Sequence, residues 1–318
     1  MRIIKGLKNL KPIKNSSVTI GVFDGVHLGH RKITGRTVSK AKALGLKSVV
    51  VTFDPHPLKI LNSSIRTPSL ISLNHRMRLI EALGVDYLIV IKFTKAFSRM
   101  PAEKFIKTVL LDKLGVKFLF IGPDFYFGKG ANFGRKALRG IAHKYGFGVE
   151  VVNPVKSGSK VVSSSLIRDR ILKGELAEAE KLLGRPVAVL GTVVAGTGLA
   201  RYLGYPTANV NPHHEAIPPT GVYAVRIIFR GRLYGGILNI GFRPTFYNSN
   251  DKEPSVEVHI FGFKGDLYGS DIETLFVRRI RPEKKFEVIA DLVEQIKKDE
   301  RRARSILSKR LYKSRGLC

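Results

Sequence analysis

Two histidines three residues apart, His27 and His30, close the run Gly21-Val22-Phe23-Asp24-Gly25-Val26-His27-Leu28-Gly29-His30. A β-rich run precedes it and a helical pattern follows. Gly21 and Gly25 let the backbone turn sharply and approach a ligand closely. A helix start presents free N–H groups and a positive dipole end, which together suit phosphate. At this spacing both imidazoles project from one face of a helical turn. Both can donate to phosphate oxygens as charge develops on a leaving pyrophosphate. Two such histidines also suit a metal or an exposed helix face, but the flanking glycines and the strand-to-helix context favour phosphate.

Three more runs in the first half carry candidate chemistry. Thr52-Phe53-Asp54-Pro55-His56-Pro57 ends a second β-rich run, and its prolines stiffen the exit. Ile121-Gly122-Pro123-Asp124-Phe125-Tyr126-Phe127-Gly128 ends a later one; its aromatics either stack on a flavin or base, or belong to the core. In Val162-Ser163-Ser164-Ser165-Leu166-Ile167-Arg168 the serines fall at a helix start, where such residues are usually caps. An arginine one turn in can clamp a triphosphate.

The second half offers different groups. Gly196-Thr197-Gly198-Leu199-Ala200-Arg201 leads into Leu203-Gly204-Tyr205-Pro206-Thr207-Ala208-Asn209. Glycine-rich turns bring backbone N–H groups to phosphate. Thr207 and Asn209 share one side of an extended chain and supply hard oxygen donors, suited to Mg2+ with its waters and substrate phosphates. Gly236-Ile237-Leu238-Asn239-Ile240-Gly241-Phe242-Arg243-Pro244-Thr245-Phe246 follows, then Val256-Glu257-Val258-His259-Ile260-Phe261 and Gly265-Asp266-Leu267-Tyr268-Gly269. An unpaired carboxylate among apolar strand residues is costly. Glu257 is therefore either a general base for a primary hydroxyl or half of a cross-strand ion pair with one of the many arginines. His259 shares its face and reads as structural.

Two kinds of scaffold must position these groups. From Val18 to Val152, β-rich runs (Val18–Phe23, Ser48–Phe53, Tyr87–Ile91, Lys117–Ile121, Phe147–Val152) alternate with helical stretches (His30–Leu44, Asn74–Leu83, Pro101–Leu114, Arg135–Tyr145). The helices end near Gly45, Gly84, Gly115 and Gly146, as helix C-termini prefer. This alternation predicts a parallel sheet with helices on both faces, its ligands beyond the carboxyl ends of the strands. A helical stretch Ser164–Leu183, broken at Gly174, leads to Gly184-Arg185-Pro186, which reads as a boundary between domains 1–184 and 185–318. Beyond it, Val187–Val194, Val222–Phe229, Arg232–Ile240, Ser255–Phe263 and Ile272–Ile280 follow one another through turns with no helix between. That pattern predicts an all-β barrel or sandwich. One amphipathic helix, Phe286–Leu307, comes last.

Composition narrows the class further. The 318 residues are 44% hydrophobic and 25% charged, which fits about two globular domains and excludes global disorder. No apolar run approaches the ~20 residues of a membrane span, and Met1 to Lys14 shows no secretory pattern. The one cysteine, Cys318, fits a reducing cytoplasm and excludes an internal disulfide or a thiolate metal cluster. The formal charge is +30: 33 basic and 12 acidic residues to Gly184, then 22 and 13, with seven bases and no acid after Glu300. Such a field attracts polyanions, nucleic acid included, though the dispersed lysines favour a non-specific effect. The oligomeric state stays open.

Together the motifs resemble a family. The G-x-F-D-G-x-H-x-G-H run is similar to that of the HxGH nucleotidyltransferases. Combined with T-F-D-P-H-P, the G-x-D-F-x-F-G loop and S-S-x-x-I-R, it resembles the prokaryotic bifunctional riboflavin kinase/FMN adenylyltransferases, or FAD synthetases. The resemblance implies a Rossmann-like α/β domain in which FMN attacks ATP and pyrophosphate leaves. Gly21, Phe23, Asp24, Gly25, His27, Gly29 and His30 would form the ATP loop. Ser163, Ser164 and Arg168 would hold phosphates, Asp124 and Phe125 would shape the nucleotide–flavin cleft, and Asn62 would lie on the flavin side. P-T-A-N, G-V-x-N-I-G-x-x-P-T-F, V-E-x-H, D-L-Y-G and R-P-E-x-K-F resemble the riboflavin kinase module, a small antiparallel barrel closed by a C-terminal helix. This implies γ-phosphoryl transfer from Mg-ATP to riboflavin, with Thr207 and Asn209 on Mg2+ and phosphate, Glu257 as base, and Arg281 and Glu283 near the flavin. The departures are Ser165 for Thr, Leu238 for Val and Gly262 for Asp. The competing reading, an RNA-binding or tRNA-charging protein, lacks a K-M-S-K-S loop and leaves P-T-A-N and V-E-V-H unexplained.

Overall fold

The structure, a computed structural model, describes residues 1–8, 10–62, 64, 67–131, 133–196, 204–242 and 254–309. The chain forms two compact units, Met1–Ser69 with Leu73–Ser164, and Leu70–Ser72 with Ser165–Cys318.

The first unit is built on six parallel strands: β1 (Arg2–Lys5), β2 (Ser16–Ile20), β3 (Lys47–Asp54), β4 (Tyr87–Lys92), β5 (Val116–Ile121) and β6 (Gly148–Val151). Their order is β1-β4-β3-β2-β5-β6. Around the sheet run α1 (Leu28–Ala43), α2 (Pro57–Leu61), α3 (Leu73–Glu81), α4 (Lys95–Ser98), α5 (Ala102–Phe105) and α6 (Arg135–Tyr145), followed by the short hairpin β7 (Lys156–Ser157) and β8 (Lys160–Val161). Successive strands leave β2 in opposite directions, β3 to one side and β5 to the other. The resulting switch point is where open parallel sheets leave a crevice for ligands. Both glycine-containing motifs emerge there, one after β2 and one after β5.

β2 is buried along its whole length despite two serines and a threonine. The Ser17 hydroxyl is satisfied by donating to the Thr37 carbonyl on α1 at 2.9 Å, which fixes α1 against the sheet. Valines and isoleucines of β2 to β5 pack with Phe105, Ile106 and Leu110 to form the core. The stretch expected as one helix, Pro101–Leu114, is instead α5 followed by a π-helical turn, Ile106–Leu111. A π turn inserts one extra residue into the helical register, which a 3.6-residue pattern does not reveal. Gly146 ends α6 in the left-handed region at φ 69°, as its position predicts.

In the second unit, α7 (Ser164–Leu172, whose first residue belongs to the first unit) and α8 (Leu176–Leu183) lead to a closed antiparallel barrel. Its strands are β9 (Ala188–Val194), β10 (Ala208–Asn211), β11 (Gly221–Phe229), β12 (Arg232–Phe242), β13 (Pro254–Ile260) and β14 (Asp271–Arg281), in the order β10-β13-β12-β11-β14-β9, with β9 paired back to β10. Helix α9 (Ile289–Lys309) lays Ala303 and Leu307 on Val222, Ala224, Ile237, Val277 and Ile280. The segment Leu70–Ser72 is also part of this unit. The buried Glu215 carboxylate accepts the Ser72 N–H at 2.7 Å and the Leu190 N–H at 3.2 Å.

Arg281, at the end of β14, grips Asp299 of α9 with Nε (2.9 Å) and an Nη (2.8 Å), and Gln295 donates to the same carboxylate at 2.9 Å. Asp299 is 3% exposed. Removing one partner of a buried pair strands the other charge, so Asp299→Ala is expected to destabilise the barrel by about 3 kcal/mol. Urea unfolding measures this; a change below about 1 kcal/mol, the range of an exposed pair, shows that the latch contributes little.

Candidate functional sites

The turn after β2 is forced. Phe23, Gly25 and Val26 all have positive φ, at 53°, 89° and 39°. For a β-branched residue such as Val26 this is a strained conformation, of the kind that clusters where loops must hold a ligand. His27 then caps α1: its Nδ1 accepts the His30 N–H at 3.4 Å. In the neutral ring this leaves the proton on Nε2. The two imidazoles stack with centroids 3.6 Å apart, and Phe23 meets His30 edge-on at 5.2 Å. Phe23, which the resemblance puts in the ATP loop, is buried and props His30 from within it. A Cβ on Gly29 would sit 3.1 Å from the His27 ring, so glycine at 29 makes room for the stack.

The fourth motif joins the first. The Ser164 hydroxyl donates to the Asp24 carbonyl at 2.7 Å, and Ser163 precedes it directly. Arg168 lies one turn into α7, half-buried, in the part assigned to the second unit.

Arg76, on α3, is a group that the sequence pattern did not single out. It is 2% exposed and donates to the Thr52 hydroxyl at 3.1 Å and the Phe53 carbonyl at 3.0 Å. Burial lowers its pKa from the ordinary guanidinium value, opposed by the nearby Asp24 and Asp54 carboxylates. It thereby braces the carboxyl end of β3, close enough to Asp24 and Asp54 to feel their charge. An arginine on the buried face of an amphipathic helix was the available signal.

Beyond the carboxyl ends of β2, β3 and β5 lies a cavity of about 750 Å³. Gly21, Phe53, Phe97, Asp124 and Phe125 line it, with Arg99 and Lys129 among its cations. Phe53, Phe93, Phe97, Phe105 and Phe127 form a chain of ring contacts 5.7–6.1 Å apart along its wall. The cavity is wide and apolar enough for a planar aromatic ligand. Asn62 is outside this lining. It is exposed at the end of α2, and its side-chain oxygen accepts the Ser64 N–H at 3.1 Å and the Ser64 hydroxyl at 2.6 Å.

The barrel holds a separate cavity of about 300 Å³, lined by Thr207, Asn209, Asn239, Glu257, Arg281 and Glu283 among others. Asn209 on β10 and Asn239 on β12 are both direct cross-strand partners of Glu257 on β13. Among the described residues, Glu257 makes no hydrogen bond or ion pair. The alternative of a cross-strand pair with arginine is not what these residues form; Arg281 is taken by Asp299. His259 has the structural role its position suggests: Nδ1–H donates to the Pro206 carbonyl at 2.8 Å, and Tyr205 packs edge-on against its ring at 5.4 Å. This pins the segment carrying Thr207 and Asn209. Gly196 leaves room for the Asn209 carboxamide, which a Cβ there would push aside. Thr197–Leu203, Arg243–Phe246 and the end of the basic tail, 310–318, lie outside the described residues.

The donor set in this cavity is oxygen, which suits a hard divalent cation. Thr207, Asn209 and Glu257 offer oxygen, and among the described residues no group of three His, Cys, Asp or Glu could cage an ion alone. Mg2+ is commonly held in this way, by few protein oxygens plus substrate phosphates and water. Among the described residues no helix is long and apolar enough to cross a membrane.

Comparison with known proteins places both halves. The FAD synthetase family profile matches residues 10–166, and the riboflavin kinase profile matches residues 183–307. A bifunctional riboflavin kinase/FMN adenylyltransferase of Buchnera aphidicola is 39% identical over 94% of this chain and 96% of its own. The protein of that name from Bacillus subtilis is 38% identical over 91% of each chain. A crystal structure described as a macrolide-efflux protein from Streptococcus pneumoniae superposes with a TM-score of 0.82 at 30% identity, covering 96% of this chain and 99% of that one.

Proposed function

The chain belongs to the bifunctional riboflavin kinase/FMN adenylyltransferases, and from that premise we propose which residues carry each reaction. The enzyme phosphorylates riboflavin to FMN with ATP, then joins AMP from a second ATP to FMN, giving FAD and pyrophosphate. Residues 1–184 carry the adenylyl transfer and 185–318 the phosphorylation, a division supported by where the two family profiles fall.

In the first reaction of the barrel, the riboflavin 5′-hydroxyl oxygen bonds to the γ-phosphorus, the bond to ADP breaks, and Glu257 takes the hydroxyl proton. The observation that carries this assignment is a carboxylate in a cavity with no partner among the described residues, flanked by two neutral carboxamides. Thr207 and Asn209 would hold Mg2+, which when bound neutralises charge on the ATP phosphates. Arg281 and Glu283 line the flavin side, with Arg281 fixed by Asp299.

In the other site a phosphate oxygen of FMN bonds to the α-phosphorus of ATP, and the bond to pyrophosphate breaks. Such a step depends mostly on positioning and charge stabilisation. His27, His30 and the N–H groups at the start of α1 receive the negative charge, while Gly21, Asp24, Gly25 and Gly29 shape the loop. Ser163, Ser164 and Arg168 hold phosphate, and Asp124 and Phe125 face the flavin. Asn62 keeps its place as a flavin-side residue only through its position after α2, whose Leu58 and Leu61 line the cavity. The lone cysteine supports a cytoplasmic setting, and nucleic acid enters as a non-specific, salt-sensitive electrostatic partner.

The test is a time course with the full chain, riboflavin and Mg-ATP, products separated by chromatography. FMN is expected first and FAD later. FMN that never proceeds to FAD overturns the assignment of the first unit, and absence of both overturns the reading altogether.

A further inference from the structure

We infer that Arg76, acting through the hydroxyl of Thr52, is a positioning residue for the loop that carries His27 and His30, given the reading of the first unit as the site of adenylyl transfer.

Every link from Arg76 to that loop is a direct contact within the first unit. Nη1 of Arg76 donates to the Thr52 hydroxyl at 3.1 Å, and that hydroxyl donates to the Val22 carbonyl at 2.9 Å. Thr52 is fully buried, so its hydroxyl has both bonds inside the protein. The Val22 carbonyl belongs to the peptide plane that ends at the Phe23 nitrogen. Holding that oxygen fixes the plane from which Phe23 turns to φ 53°. The turn sets the Phe23 ring edge-on to His30, with centroids 5.2 Å apart, and His30 stacks on His27. The Gly21 N–H donates to the Val51 carbonyl at 3.1 Å, so β3 holds the loop at two successive residues. The same Nη1 donates to the Phe53 carbonyl at 3.0 Å, and Phe53 lines the wide cavity. One guanidinium thereby braces the histidine loop and a wall of the cavity together.

Stability alone does not call for a cation here. At 2% exposure the guanidinium is nearly stripped of water, and its Nε has no hydrogen-bond partner among the described residues. A buried charge without full pairing costs more than a packed apolar side chain of similar volume. The charge serves the site instead: it offsets the nearby Asp24 and Asp54 carboxylates, which repel the phosphates of an incoming ATP.

The test is a double-mutant cycle on FAD formation from FMN and ATP, with Arg76→Met, Thr52→Val and the pair, each in the full chain and well below its melting midpoint. Riboflavin phosphorylation on the same sample reports on the barrel. Arg76→Met is expected to lower kcat by about 30-fold while KM for ATP changes by less than about threefold, the mark of a loop that binds but is mis-aimed. Thr52→Val keeps the guanidinium and removes the link to Val22, and is expected to lose about tenfold. The pair is expected to lose far less than the roughly 300-fold product, because Thr52 acts on Val22 as Arg76 orients it. Wild-type kcat in Arg76→Met, or losses that multiply in full in the pair, overturn the inference. So does a Thr52→Val rate equal to wild type, a result that stands even where Arg76→Met fails to fold. A wild-type enzyme that makes FMN and no FAD removes the reading of the first unit, and this inference with it.

Discussion

Replacing His30 by alanine is expected to slow the conversion of FMN to FAD by roughly 10²- to 10³-fold, the usual loss when one donor to a developing oxyanion is removed. The conversion of riboflavin to FMN is expected to continue at the wild-type rate. The size follows from how the ring is held. It is stacked on His27, buttressed by Phe23 and set at the first turn of α1. Alanine keeps the backbone N–H groups of that turn, so a residual rate survives. It also leaves His27 without its stacking partner, and part of the loss comes from a less ordered His27. The check is pyrophosphate release from FMN and ATP, with ADP release from riboflavin and ATP measured on the same sample. Wild-type FAD formation, or loss of both reactions in a folded variant, sinks the assignment.

Glu257→Gln is expected to produce the complementary phenotype. Glutamine preserves shape and removes the negative charge, so riboflavin phosphorylation should fall by about 10²- to 10⁴-fold, the range attributed to a positioned general base. FAD formation from supplied FMN should be unaffected. The variant is also informative about stability. An ionised carboxylate without a partner is a liability in a half-buried cavity, so its neutral isostere is expected to unfold no earlier than wild type. A phosphorylation rate within tenfold of wild type returns Glu257 to a structural role.

Much of this was legible in the sequence for identifiable reasons. The near-continuous apolar runs of β3 to β5 mark strands buried on both faces, and the motifs that follow β2, β3 and β5 stand where such a sheet binds ligands. What escaped had tertiary causes. β2 ends at Ile20 and not at Phe23, because Phe23 turns into the left-handed region to prop His30. β1 is short and mostly exposed, with no alternation to betray it. β10 is four residues beginning at Ala208, and its identity as a strand comes from closing the barrel between β9 and β13. Arg76 stands out only once its side chain is seen buried against Thr52 and Phe53 at the end of β3. Asn239 stood inside a recognised motif, yet its relation to Glu257 exists only in the barrel register.

The carboxylate of Glu215 has a practical corollary for anyone dividing the molecule. The compact unit that holds the barrel is not one continuous stretch: besides Ser165–Cys318 it includes three residues from far upstream, one of which, Ser72, donates an N–H to a buried acid. A kinase fragment cut at 185 leaves that acid a donor short, a deficit of about 1–3 kcal/mol before any chemistry is measured. A truncated barrel therefore understates the endurance of the same barrel in the intact chain.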